Sequence, residues 1–203
     1  MSNEYTVEQI FSAPIYSSKA GIDLKPYVNL FLKQKKEPNN SNTLGSLASQ
    51  EHYILNKKQL KNVKNEILKH VYTYTKDILK YSNDFQISTS WLTFVDPGCS
   101  SHLHRHRNSM FSGIIYFQAN RDSGDLVFED KRIGDFFCKV SEYNILNSEL
   151  WFYKPFTNKI IIFPSHLFHM IDTNNSDLKR ISLAFNVIPI GKFGGGDSTL
   201  TIG

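Results

Sequence analysis

The stretch "NKIIIFPSHLFHMIDTNNSDLKRISLAFNVI" (residues 158–188) holds two β-type runs with a polar, Asn-rich turn between them. The first run is apolar and ends at Phe163 and Pro164, just before His166 and His169. The second alternates. Arg180, Ser182, Ala184 and Asn186 fall on one face, and Ile181, Leu183, Phe185 and Val187 on the other. An arginine that opens an otherwise apolar strand is costly to bury unless an anion meets it. Its guanidinium can grip a carboxylate with two parallel hydrogen bonds, and Ser182 places a hydroxyl beside it.

Upstream the same texture continues. "QISTSWLTFV", "SMFSGIIYF", "GDLVFED" and "LWFYKP" are short aromatic or β-branched runs separated by Gly, Pro, Asn or Asp. Before residue 86 the period changes. "NKKQLKNVKNEILKHVYTYTKDILKYS" repeats Leu60, Val63, Ile67, Val71, Tyr74 and Ile78 at helical spacing, with a lysine-rich opposite side that reads as a solvated face rather than a nucleic-acid patch. "LKPYVNLFLKQKK" does the same with Leu24, Val28, Phe31 and Leu32. The Gly/Asn/Ser-rich segment 37–49 between them reads as a loop that, with segment 129–150, shapes the mouth of any cavity. One or two helices followed by six or more short strands predict a mainly β chain with flanking N-terminal helices, in the form of a jelly roll. With no repeat and no linker, residues 1–203 are read as one domain, with helical support over about 20–83 and a jelly-roll core over about 86–190.

"SSHLHRHRNS" (100–109) spaces His102, His104 and His106 two apart. In an extended chain, residues i and i+2 share a face, so His104 and His106 can aim two imidazole nitrogens into one cavity, a donor pair suited to a transition metal. A third ligand must come from another strand, and His166 and His169 are the candidates.

Bulk properties exclude several classes. The chain of 203 residues is 40% hydrophobic and 13% aromatic, enough for one sizeable core. A net charge of +4 without a basic block gives no nucleic-acid footprint. Cys99 and Cys138 form no CxxC pair. No segment has the pattern of a signal peptide or a membrane span, so a reducing cytoplasm is the expected setting.

The order of these motifs — HxH at 104–106, "SGIIYF" at 112–117, "GDLVFED" at 124–130, "IIIFPSHLFH" at 160–169, "RISLAFN" at 180–186 — resembles the Fe(II)- and 2-oxoglutarate-dependent oxygenase superfamily. Within it, the order is similar to a bacterial and phage branch with an HxH motif. The match spans about residues 88–188 and, more loosely, "FSAPIY" near the N-terminus. The resemblance implies a double-stranded β-helix, the cupin-like jelly roll, with Fe(II) held by His104 and the distal His169. It implies 2-oxoglutarate as cosubstrate, its far carboxylate on Arg180 with Ser182 alongside and Tyr116 as a further hydrogen-bonding group. The partners are then 2-oxoglutarate, O2 and a primary substrate the sequence does not name, and the activity is an oxidative one, a hydroxylation of a peptide or small molecule.

One position departs from the superfamily pattern, which has Asp or Glu where this chain has His106. Either His106 ligates, or a carboxylate from Asp96, Glu129 or Asp130 takes its place; the HxH spacing favours His106. His102 is expected to face solvent or support the site, and Asn186 is left outside it as a turn-former at a strand end. Two other readings remain open: a jelly-roll binding protein with a non-catalytic metal, and a three-histidine cupin dioxygenase that does not use 2-oxoglutarate.

Overall fold

All six β-type runs form strands in the computed structural model, which describes residues 6–39, 44–131 and 138–203. In chain order the elements are β1 (Tyr16–Lys19), α1 (Lys25–Leu32), β2 (Lys36–Pro38), β3 (Leu47–Ser49), α2 (Lys61–Tyr72), β4 (Asp84–Val95), β5 (Phe111–Gln118), β6 (Leu126–Glu129), β7 (Leu150–Tyr153), β8 (Lys159–Pro164), β9 (Phe168–Ile171), β10 (Arg180–Phe193) and β11 (Leu200–Ile202). A large antiparallel sheet runs β1-β8-β5-β10-β4-β3-β2, with β11 added to the far end of β10, and a small sheet runs β7-β6-β9. Strands close in sequence are split between the two sheets, which is the jelly-roll arrangement.

The alternation in β10 becomes a division of space. Ile181, Leu183, Phe185 and Val187 face outward with Leu92, Phe94, Ile115, Ile160 and Ile162, and the helices cover them through Leu24, Phe31, Leu60, Val63, Ile67 and Val71. Each such fully buried aliphatic side chain contributes roughly 1.5–3 kcal/mol of transfer free energy. The inner face, between the sheets, packs Ile114, Tyr116, Leu126, Phe128, Ile161 and Phe163. Gly113 keeps the outer layer closed: a Cβ there would lie 2.2 Å from the Phe185 ring.

Three expectations are corrected. Segment 37–49 is not simply a loop: residues 40–43 lie outside the described residues, but its ends form β2 and β3, which pair with each other, and β3 joins β4. Ile78 is 53% exposed although it continues the helical stripe. After α2 the chain takes a π-helical turn over Thr73–Ile78, with Leu79 N–H donating to Tyr74 O at 3.0 Å, five residues back. That wider turn rotates Leu79, not Ile78, onto the core. Leu32, in the last turn of α1, is likewise 41% exposed, off the buried face that Phe31 defines.

Candidate metal centre

Strand pairing brings the histidines together. His104 and His169, 65 residues apart in sequence, are directly opposed in an antiparallel bridge, with His104 N–H donating to His169 O (2.9 Å) and His169 N–H to His104 O (2.8 Å). His169 also lies opposite Phe128 in the β9–β6 pairing. Two residues on, His106 N–H donates to Ser165 O at 3.0 Å, so the HxH segment zips along the chain that leads into β9. One ring nitrogen from each of His104, His106 and His169 falls within 4.8 Å of the others. This is the group of potential metal ligands found among the described residues, and it contains no carboxylate.

The ring orientations are set by acceptors. His104 Nδ1 lies 2.8 Å from His102 O and His169 Nδ1 lies 2.9 Å from Leu167 O. A carbonyl only accepts, so each Nδ1 carries the proton and each Nε2 keeps its lone pair free for a metal. Burial, then the neighbouring imidazoles, push His169 well below its ordinary value and His106 down to about 4; burial also lowers His104. All three are therefore neutral near pH 7, the form a metal requires. The His106 and His169 rings stack at 5.1 Å, and Trp91 stacks on His106 at 5.4 Å.

The other candidates are placed as follows. His102 and His166 are exposed, and His102 takes part through its backbone carbonyl. Asp96 pairs with Lys179 at 2.7 Å and Glu129 with Lys131, and neither these carboxylates nor Asp130 is in the histidine group. A cleft of about 780 Å³ opens over the three histidines, walled by Trp91, Thr93, Ala184 and Asn186, with Pro38 and Ala48 from the 37–49 segment at its rim. None of the described part of 129–150 reaches the cleft wall, a correction to the expected mouth; residues 132–137 lie outside the described residues.

Arg180, Ser182 and Tyr116 are fully buried and sit behind the cleft wall rather than on it. Ala184 and Asn186 line the cleft, and Ser182 and Arg180 follow on the same face of β10. Ser182 is opposite Tyr116 on β5 and Thr93 on β4. Arg180 Nη1 donates to Gly124 O (2.7 Å) and Nη2 to the Tyr116 hydroxyl (3.3 Å), with the guanidinium carbon 4.9 Å from the Tyr116 ring centre. Burial pushes the guanidinium down from its ordinary value, and Tyr116 and Asp125 oppose that. Arg180 Nε and Ser182 Oγ are buried with no hydrogen-bond partner. Unpaired buried polar atoms are rare and costly, and two beside a buried cation are what a carboxylate would satisfy. The residues present therefore fit both a metal and a dicarboxylate.

Sequence reasoning missed Trp91 and Asn186. Trp91 carried a signal, an aromatic on the same strand face as Thr89 and Thr93; its stacking on His106 required the fold.

Fold and site define one class. Residues 89–186 match the family model described as "Putative 2OG-Fe(II) oxygenase". No curated protein matches the sequence. Among solved structures, the chain is similar to HygX from Streptomyces hygroscopicus with nickel, 2-oxoglutarate and hygromycin B bound (TM-score 0.62, 6% identity, 87% of this chain and 83% of that chain). It is also similar to a Pseudomonas putida prolyl-4-hydroxylase (TM-score 0.59, 13% identity, 86% and 93%). A third is SnoN, an α-ketoglutarate-dependent epimerase from nogalamycin biosynthesis (TM-score 0.64, 7% identity, 86% and 78%). At such identities the structural likeness is one of fold. The family match over residues 89–186 bears out the resemblance to the 2OG-Fe(II) oxygenase superfamily and supports the class of an oxidoreductase.

Proposed function

We propose that this chain is an Fe(II)- and 2-oxoglutarate-dependent hydroxylase of a peptide or small molecule, working in a reducing, cytoplasmic setting. His104, His106 and His169 hold the metal, and Arg180, Ser182 and Tyr116 hold the far carboxylate of 2-oxoglutarate. The bound metal would supply O2 activation coupled to decarboxylation of 2-oxoglutarate, giving succinate and CO2 and an oxidant for the second substrate.

The chain's own residues do the rest. The backbone carbonyls of His102 and Leu167 fix two ligand tautomers. Arg180, held by Gly124 O and Tyr116, offers its unused Nε, and Ser182 its unused hydroxyl, to an incoming carboxylate. The cleft gives the primary substrate room beside the histidines, and Phe163 and Phe128, packed on His169, keep water from that side.

The observation that carries this reading is the pair of partnerless atoms, Arg180 Nε and Ser182 Oγ, on the strand face that leads to the metal cluster. A binding module has no use for a buried, half-satisfied arginine there. Anaerobic titration with Fe(II) and 2-oxoglutarate tests it: a visible charge-transfer band that needs both components supports the reading. Absence of both the band and 2-oxoglutarate-dependent succinate would leave a metal-binding jelly roll.

A further inference from the structure

The cleft over the histidines carries cations and hydrogen-bond donors that neither the metal nor the 2-oxoglutarate site uses. Arg105 and Arg107 flank His106 in sequence, and both line the cleft. The alternation that turns His104 and His106 toward each other turns the two arginines the other way, so they border the cleft as exposed side chains. Arg105 is braced there, its guanidinium carbon 5.2 Å from the ring centre of Phe168, the neighbour of His169. Among the described residues neither guanidinium has a carboxylate partner. The one carboxylate among the described residues lining the cleft is Glu37, and it lies 3.9 Å from His52.

The wall formed by β4 and β10 adds neutral donors. Thr89 and Asn186 both line the cleft, and their acceptors are spent on each other and on the layer behind. Asn186 Oδ1 accepts from the Ser112 hydroxyl at 2.8 Å. Ser112 spends its only proton there, so it accepts in its 2.8 Å contact with Ser165, which in turn accepts from Ser109 at 3.0 Å. This one-way chain fixes the amide. Its Nδ2 gives one proton to Thr89 Oγ1 at 3.0 Å and keeps a second, and Thr89, accepting there, keeps its own. The metal ligands add to the same balance: three neutral imidazoles leave a bound divalent cation its full charge, where a carboxylate ligand would offset one unit.

We propose that the primary substrate is a small molecule bearing a carboxylate or phosphate group, which Arg105 and Arg107 hold at the border of the cleft while Thr89 and Asn186 donate to oxygens on its body. The proposal rests on the cleft being the primary-substrate site, and narrows that substrate to one class. A small molecule is favoured over an acidic peptide because the cleft, at about 780 Å³, falls within the roughly 300–1,000 Å³ of small-molecule pockets.

The test uses the full chain loaded with Co(II) and saturated with 2-oxoglutarate without oxygen, and reads the paramagnetic broadening of probe protons by NMR. The probes are phenylacetate and benzyl phosphate, set against the neutral phenylacetamide and benzyl alcohol; the tighter of the two anions tells carboxylate from phosphate. Both anions should bind at least about tenfold more tightly than their neutral counterparts. Raising the salt to about 1 M, where the screening length falls to about 3 Å, should remove the difference. Arg105→Gln with Arg107→Gln should remove it too, with the neutral probes bound as before. Equal binding of charged and neutral probes, or no binding of any, overturns the proposal, as does an anion preference that survives the double substitution. So does tighter binding of an acidic hexapeptide of alternating aspartate and glutamate than of either small anion. Saturation-transfer NMR repeats the comparison on the metal-free protein. If the chain binds no Co(II), the oxygenase reading falls, while the metal-free comparison still decides whether the cleft selects small anions.

Discussion

Arg180→Met removes the guanidinium and keeps much of the side-chain volume, so its consequences are read from what the guanidinium does. It is fully buried, donates to Gly124 O at 2.7 Å and Tyr116 at 3.3 Å, and leaves Nε and the neighbouring Ser182 hydroxyl unpaired. If the far carboxylate of 2-oxoglutarate docks there, methionine leaves that carboxylate buried without its cation. Breaking one half of a buried pair costs about 3–5 kcal/mol, or roughly 140- to 4,000-fold in affinity at 1.4 kcal/mol per tenfold. The metal-free fold should lose little: the guanidinium makes one short and one long hydrogen bond while carrying the desolvation cost of a full charge. The assay is calorimetric titration of Ni(II)-loaded protein with 2-oxoglutarate, with bare Ni(II) affinity and thermal midpoint as controls. Arg180→Lys should fall between, since a point charge does not reproduce the fork. An Arg180→Met protein that binds 2-oxoglutarate within about threefold of wild type would refute the reasoning.

Other outcomes follow from the same geometry. His104→Ala, His106→Ala and His169→Ala should each sharply weaken metal binding in equilibrium dialysis without unfolding the domain, whereas His102→Ala, which keeps the backbone carbonyl, should leave it nearly intact; His106→Asp should retain it. Gly124 has φ +84° and a Cβ there would meet Asp172 O at 2.2 Å, so Gly124→Ala should shift the carbonyl that holds Arg180 and raise the KM for 2-oxoglutarate as well as lower the Tm. Gly113→Ala drives a methyl into Phe185 and should cost about 1–3 kcal/mol in urea unfolding while sparing metal affinity per folded molecule. The three histidines are held below their ordinary value of 6.5, His106 at about 4, so the unfolded chain takes up protons first as pH falls. Stability of the metal-free protein should therefore decline between about pH 6.5 and 4, and be flat above that range; a histidine-linked decline centred above pH 7 would contradict the neutral site.

How far the sequence could be read depended on whether the signal was local. Period-2 alternation in 180–187 is a property of one strand, and it assigned Ile181, Leu183, Phe185 and Val187 to one layer and Arg180 to the other without knowledge of any partner. The i+3/i+4 stripe of Leu60 to Tyr74 was equally local. It failed only at Ile78, where a π turn shifts the face by a residue. Segment 37–49 failed for the opposite reason: β2 and β3 are three-residue strands at one end of the large sheet with little pattern of their own, β3 held by β4 and β2 by β3.

By itself, then, the sequence determined the layering of β10, the helical cover and a metal-suited HxH spacing, because each is written within one element. Only the tertiary structure decided which histidines meet. His104 opposes His169 across 65 residues, and His166, three residues from His169, points to solvent. That choice rests on strand register, where a shift of one residue exchanges the two faces of a strand. Register is fixed by the sum of pairings along β6, β9 and the HxH segment, and no local pattern records it. The place of Asn186 on the cleft wall was hidden for the same reason: its hydrogen-bond partners Thr89 and Ser112 come from β4 and β5, and only the pairing of those strands on either side of β10 brings the three together.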